Sequence, residues 1–168
     1  MQIYIPGNAR LVIRSFNFKL TVSWTLGLLL GMLFALGLDP SFLSLMRWLF
    51  TLPMSIVIRL ILAVLPFLIC TYAFMIRRLE IVLAVLFCKA FSFSVLAFSV
   101  LLIFGSAGWL VFPMLLLSDL LLMPVLCWFC LRNGRSLIRD HIICLGIAVS
   151  AVLIHSFVVS PFVAELID

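Results

Sequence analysis

Apolar residues fill long runs in this chain, and charged residues gather where one run gives way to the next. The runs cover about residues 20–38, 54–76, 79–104, 109–131 and 141–163, each close to or above the ~20 residues an α-helix needs to cross the hydrocarbon of a bilayer. Apolar positions do not alternate with polar ones as they would in half-buried strands, and backbone polar groups in lipid are best satisfied within a helix. The pattern therefore predicts an all-α, polytopic helical membrane bundle of about five transmembrane helices. Residues 1–19 precede the first run and set Arg10, Arg14 and Lys19 among Leu11, Val12, Ile13, Phe16 and Phe18. They read as a basic interfacial segment, with residues 20–168 forming the transmembrane domain.

The interruptions within and between runs carry the next layer. Gly27, Gly31 and Ala35 recur every four residues in the first run, which places them on one helix face where a neighbouring backbone can approach closely. That neighbour could belong to the same chain or to another. Asp39 and Pro40 suit an N-cap and first helical position and predict a short interfacial helix over 41–52 that contains Arg47 and Trp48. The second run holds Pro66, expected to mark a kink, and Arg59, expected to snorkel to the membrane surface as an anchor. Gly105, Ser106, Ala107 and Gly108 make a turn between the third and fourth runs. In the fourth, Pro113 and Pro124 bracket the dipeptide Ser118–Asp119, so the helix is expected to weaken there and to need hydrogen-bond partners from its neighbours. Asn133 and Gly134 form the turn before the last run. His155, inside that run, reads as a neutral packing residue making hydrogen bonds.

Composition sharpens the class. Of 168 residues, 67% are hydrophobic and 10% charged, with a mean hydropathy of +1.42, against roughly 25% charged in soluble proteins. This excludes a sizeable soluble domain, and the N-terminal stretch lacks the compact apolar run and small-residue cleavage site of a secretory leader. The net charge of +5 does not point to nucleic acid, because the basic residues flank apolar runs, where topology and anionic headgroups account for them. Five spans with a cytoplasmic N-terminus put Arg10, Arg14, Lys19, Arg77, Arg78, Arg132, Arg135 and Arg139 inside and only Arg47 and Arg59 outside, the asymmetry expected of a multi-pass protein of a cell membrane.

Two ionisable residues stand apart, Lys89 in VLFCKAFSFSV and Asp119 in LLLSDLLLMPV. A charge at the centre of a membrane helix costs about 3 kcal/mol on insertion scales, so such residues turn toward the bundle or a polar cavity. Each lies about ten residues into its run, on adjacent antiparallel helices, which at 1.5 Å per residue sets both at mid-membrane where they can pair. Such a pair can clamp two helices in register, form part of an ion or substrate site with Ser92, Ser94, Ser118 and His155, or dock a partner's membrane segment. The clamp is favoured, since polar company at that depth is sparse. The five cysteines, Cys70, Cys88, Cys127, Cys130 and Cys144, include one CxxC spacing without a second CxxC or a His at ligand distance, and read as small packing residues. No phosphate loop, zinc-protease motif or nucleophile elbow occurs. A non-enzymatic protein without cofactor or metal is expected.

The part from the second run to the Arg-Asn-Gly loop resembles the stage II sporulation protein M family. LAVLFCKAFSFSVLAF is similar to that family's apolar run with a Phe-Lys-Gly-Phe-like step, GSAGW to its Gly-x-x-Gly turn, and SDLLLMPVL to its Gln-Asn step followed by apolar residues and Pro; GLLLGMLFA fits its small-residue first helix. Ala90 and Ser94 stand where that pattern has Gly, and Asp119 where it has an amide. The resemblance marks Lys89, Ser118, Asp119 and Pro124 as family-type positions. It implies a bacterial cell-membrane scaffold at the sporulation septum that anchors peptidoglycan-degrading partners, the sporulation proteins D and P, during forespore engulfment, with membrane lipids as its other partners. The alternative from the residues alone is a small membrane transport component, such as the substrate-binding subunit of a vitamin uptake system. A lipid-interacting or channel-forming protein is a third reading.

Overall fold

The computed structural model describes residues 7–51, 55–131 and 137–159, and every element among them is helical. In chain order these are α1 (Gly7–Leu36), α2 (Pro40–Thr51), α3 (Ile56–Met75), α4 (Leu79–Phe104), a 3-10 turn (Gly105–Ala107), α5 (Gly108–Leu115), α6 (Leu117–Leu131), α7 (Leu137–Ile154) and a closing π-turn (His155–Val159). The chain is an all-α, multi-pass membrane bundle. Four helical stretches are long and apolar enough to cross a membrane, Ser15–Leu36, Ile56–Met75, Leu79–Leu115 (of which α4 supplies the 26 residues before the turn at Gly105) and Arg139–Val159, and Leu117–Leu131 is a shorter apolar helix. The end of the last expected span beyond Val159, and Arg132, Arg135 and the Asn133–Gly134 turn, lie outside the described residues.

Two elements refine the expected layout. From Gly7 onward the basic segment is the opening of α1, with no Pro or Gly between Asn8 and Trp24 to interrupt it. The expected fourth span is two helices. Its break falls at Leu116, three residues after Pro113, whereas Pro124 lies inside α6 and Pro66 inside α3.

The elements begin and end for local reasons. Asp39 O accepts from the amides of Phe42 and Leu43 at 2.9 and 3.1 Å, with Pro40 in the first helical position of α2. The Ser55 hydroxyl accepts from Ile58 N–H at 3.3 Å and caps α3. The other end of α3 closes with Arg78 N–H bonded to Ala73 O at 2.9 Å and Arg77 at φ +55°. This is the left-handed helix stop that usually recruits glycine.

Gly105 (φ +56°, ψ −127°) then turns the chain back after α4, a conformation that glycine reaches without a Cβ clash. The hairpin is tight: a Cβ on Gly108 would lie 3.0 Å from Leu101 Cα, and the Phe93 and Phe112 rings meet edge to face at 6.3 Å.

The largest helix interface joins α1 and α4, which run parallel at a constant offset. Ser23 Oγ donates to Leu83 O at 2.8 Å and Ser94 Oγ to Leu28 O at 2.7 Å. Between these bonds the backbones nearly touch, since a Cβ on Gly27 would lie 2.6 Å from Phe87 O and one on Gly31 2.5 Å from Phe91 O. Ala35 continues the stripe, fully buried. The small-residue face thus meets a helix of its own chain, where close packing and hydrogen bonds replace the absent hydrophobic drive between helices in lipid.

The remaining core lies among α3, α4, α6 and α7, joined by Phe16 and Leu20 of α1. Phe129 of α6 is its centre, with Phe67 and Phe74 of α3 at 6.0 and 6.1 Å between ring centroids and His141 of α7 at 4.9 Å.

Candidate functional site

The α4–α6 side of the hairpin brings Lys89 and Asp119 together. Lys89 Nζ donates to Asp119 Oδ1 at 2.5 Å, and both side chains are about four-fifths buried, with 23% and 20% of their surface exposed. The contact follows from periodicity. Asp119 precedes buried Leu122 and Leu126 by three and seven residues, while Lys89 lies three after buried Leu86, so each side chain projects from the edge of an inward stripe. Opposite charges at this distance form a charge-assisted hydrogen bond. Away from bulk water, either charge left alone would be strongly destabilising.

The other residues singled out from the sequence divide into two groups. Ser118 is half-buried in the first turn of α6, beside Asp119. Pro124 is exposed within α6, and the weakening expected around Ser118–Asp119 falls just before that dipeptide, at Leu116. Ser92 and Ser94 do not join the pair. Ser92 Oγ bonds back to Cys88 O on its own helix at 2.8 Å, and Ser94 belongs to the α1 seam with Gly27, Gly31 and Ala35.

A second polar contact forms where none was expected. Arg59 Nη1 lies 2.8 Å from His155 Nδ1, and His155 Nε2 lies 3.0 Å from Leu115 O, the last residue of α5 before the break. Arg59 therefore points into the bundle, as a half-buried partner of the π-turn that continues α7, rather than serving as a surface anchor. His155 does make hydrogen bonds, and one of them satisfies a carbonyl at the interrupted turn. Leu115 precedes Asp119 by four residues, or ~6 Å of helix, so Arg59, His155, Asp119 and Lys89 form a polar array contributed by four different elements.

Towards the opposite end of α3, Thr71 Oγ1 hydrogen-bonds His141 Nε2 and also donates to Phe67 O at 2.7 Å. Asp140 beside it is 1% exposed, with Arg139 Nε 3.9 Å from its Oδ1. Arg59, His155 and Asp140 were all marked by spacing. Arg59 precedes buried Ala63 by four residues on the Ala63–Phe67–Cys70 stripe, and Asp140, Cys144, Ala148 and Val152 repeat every four, with His155 three further on. All five cysteines are free thiols; Cys70, Cys130 and Cys144 are buried. No group of three or more His, Cys, Asp or Glu among the described residues is placed to hold a metal ion.

These features define an all-α membrane bundle with a charged pair and a bonded helix break in its interior. No protein-family model, curated protein or solved structure matches the chain.

Proposed function

We propose that the protein is a non-enzymatic membrane scaffold in which Lys89–Asp119 is a register clamp. The observation that carries this reading is that an ammonium placed within apolar helices meets its counter-charge inside its own chain at 2.5 Å. A docking site for a partner's membrane segment would leave one member of the pair to be met from outside, and a transport site would leave it to a ligand. Closed on itself, the pair holds α4 against α6 and leaves the outer faces of the bundle for partners.

Within that class, the resemblance to stage II sporulation protein M in the Lys89, GSAGW and SDLLLMP segments directs the proposal to forespore engulfment. The protein would sit in the septal and then the engulfing membrane, with its basic flanks on the cytoplasmic side, and anchor peptidoglycan-degrading enzymes there. Deletion in an endospore-forming host is expected to stall engulfment, and the tagged protein is expected to co-purify with wall hydrolases. Normal engulfment in the deletion strain would refute the sporulation reading.

The interrupted helix at Leu116 favours one alternative, a subunit of a small-molecule uptake system, since broken helices at depth often line substrate sites in transporters. Thermal-shift screening of the purified chain against vitamins and divalent metals separates the two. A ligand that raises the melting temperature supports transport, and the absence of a stabiliser supports the scaffold.

A further inference from the structure

We infer that His155 is a proton-binding latch between α3 and the π-turn that continues α7: neutral, it holds Arg59; protonated, it releases it.

Hydrogen-bond roles fix the tautomer of the ring. A guanidinium has only donors and a backbone carbonyl only acceptors. At 2.8 Å from Arg59 Nη1, His155 Nδ1 must therefore offer its lone pair, and at 3.0 Å from Leu115 O, Nε2 must carry the proton. Both bonds exist together only in the neutral Nε2–H tautomer. Protonation places a proton from water on the Nδ1 lone pair and turns the ring into a cation. The bond to Leu115 O survives, because Nε2 still donates. The bond to Arg59 cannot, because two N–H groups of like charge then face each other.

The surroundings decide which partner leaves. The ring is faced by Arg59 from α3, by the Leu115 carbonyl from α5, and by Asp119 from α6, the last already bonded to Lys89 of α4; Arg59 and Asp119 are the charges whose fields reach it. A cationic ring is attracted to Asp119 and repelled by Arg59. Arg59 lies only four positions into α3, within reach of the membrane surface for a long side chain, so it can swing out while the ring stays on the Leu115 carbonyl. The latch is distinct from the Lys89–Asp119 clamp and does not depend on the proposed scaffold role. It makes the α3–α7 contact weaken in acid.

The test uses the full chain in lipid nanodiscs, labelled with 15N in histidine and arginine side chains. The His155→Gln variant assigns the His155 signals by their disappearance. At neutral pH the expected pattern is a protonated Nε2 and a bare Nδ1. On stepwise acidification to about pH 4, well below the usual imidazole range, the ring gains its second proton, and the Arg59 guanidinium signals shift with the same midpoint.

Glutamine keeps an acceptor for Arg59 and a donor for Leu115 O without titrating. The acid-induced loss of melting temperature in the unmodified chain is therefore expected to fall by at least about half in His155→Gln. An Nδ1–H tautomer at neutral pH, a ring that titrates without moving the Arg59 signals, a ring that stays neutral to about pH 4, or an equal acid loss in both proteins each overturns the inference. If that variant fails to fold, His141→Gln assigns the His155 signals as the histidine set that persists, since the chain has two histidines, and the nuclear resonance readout on the unmodified chain still stands.

Discussion

Lys89 and Asp119, thirty residues apart, meet at 2.5 Å across the hairpin of α4 with α5 and α6, both largely shielded from solvent. Asp119→Asn keeps an acceptor for the ammonium and is expected to retain most stability. Asp119→Leu strands the charge and is expected to cost up to about 3–5 kcal/mol. The double variant Lys89→Met/Asp119→Leu is expected to recover much of that loss. Melting curves in detergent for the four proteins check this, and equal losses in both Asp119 variants would mean that the negative charge itself is required.

The glycines separate cleanly by what a methyl group would strike. Gly31→Ala forces α1 away from Phe91 O, 2.5 Å from the new Cβ, and is expected to destabilise by about 1–3 kcal/mol, the usual range for overpacking. Gly146→Ala in α7 meets nothing within 4 Å and is expected to be neutral or stabilising by up to about 1 kcal/mol. Denaturation of the two variants side by side decides.

Ser23→Ala and Ser94→Ala each remove one hydrogen bond across the α1–α4 seam. In membrane proteins such bonds average about 0.6 kcal/mol, so each loss is expected to be small and the two roughly additive, as befits sites well separated along the helices. A loss several-fold larger for either serine would show that the seam depends on its hydroxyls more than on backbone approach.

Arg77 occupies the left-handed position at the end of α3 with φ +55°. Arg77→Gly removes a backbone penalty of about 1 kcal/mol and leaves Arg78 to keep the flank basic. A higher melting temperature with unchanged topology, read by cysteine accessibility from each side, is the expected result.

Much of this architecture is legible from the runs alone, because length and apolar content define membrane helices with little help from context. The mid-membrane depth shared by Lys89 and Asp119 also follows from counting. Arg59, His155 and Asp140 were harder to place. When nearly every residue is apolar, polarity no longer distinguishes inside from outside, and the inward face is marked by small residues such as Ala63, Cys70, Cys144 and Ala148 instead. The two prolines mark a weak point near Ser118–Asp119 but not its position at Leu116. Proline removes a donor wherever it stands, but neighbouring helices decide whether that loss opens the turn, and here Pro124 is carried within α6 while the carbonyl of Leu115 finds its donor on His155.

The parallel seam of α1 with α4 imposes an order on biogenesis. Ser23 must wait for Leu83, and Leu28 for Ser94, some sixty residues later in the chain. At ~5–20 residues per second of synthesis, α1 spends several seconds in the membrane with its glycine groove uncovered. During that interval the groove faces lipid or the insertion machinery, and only the arrival of α4 closes it.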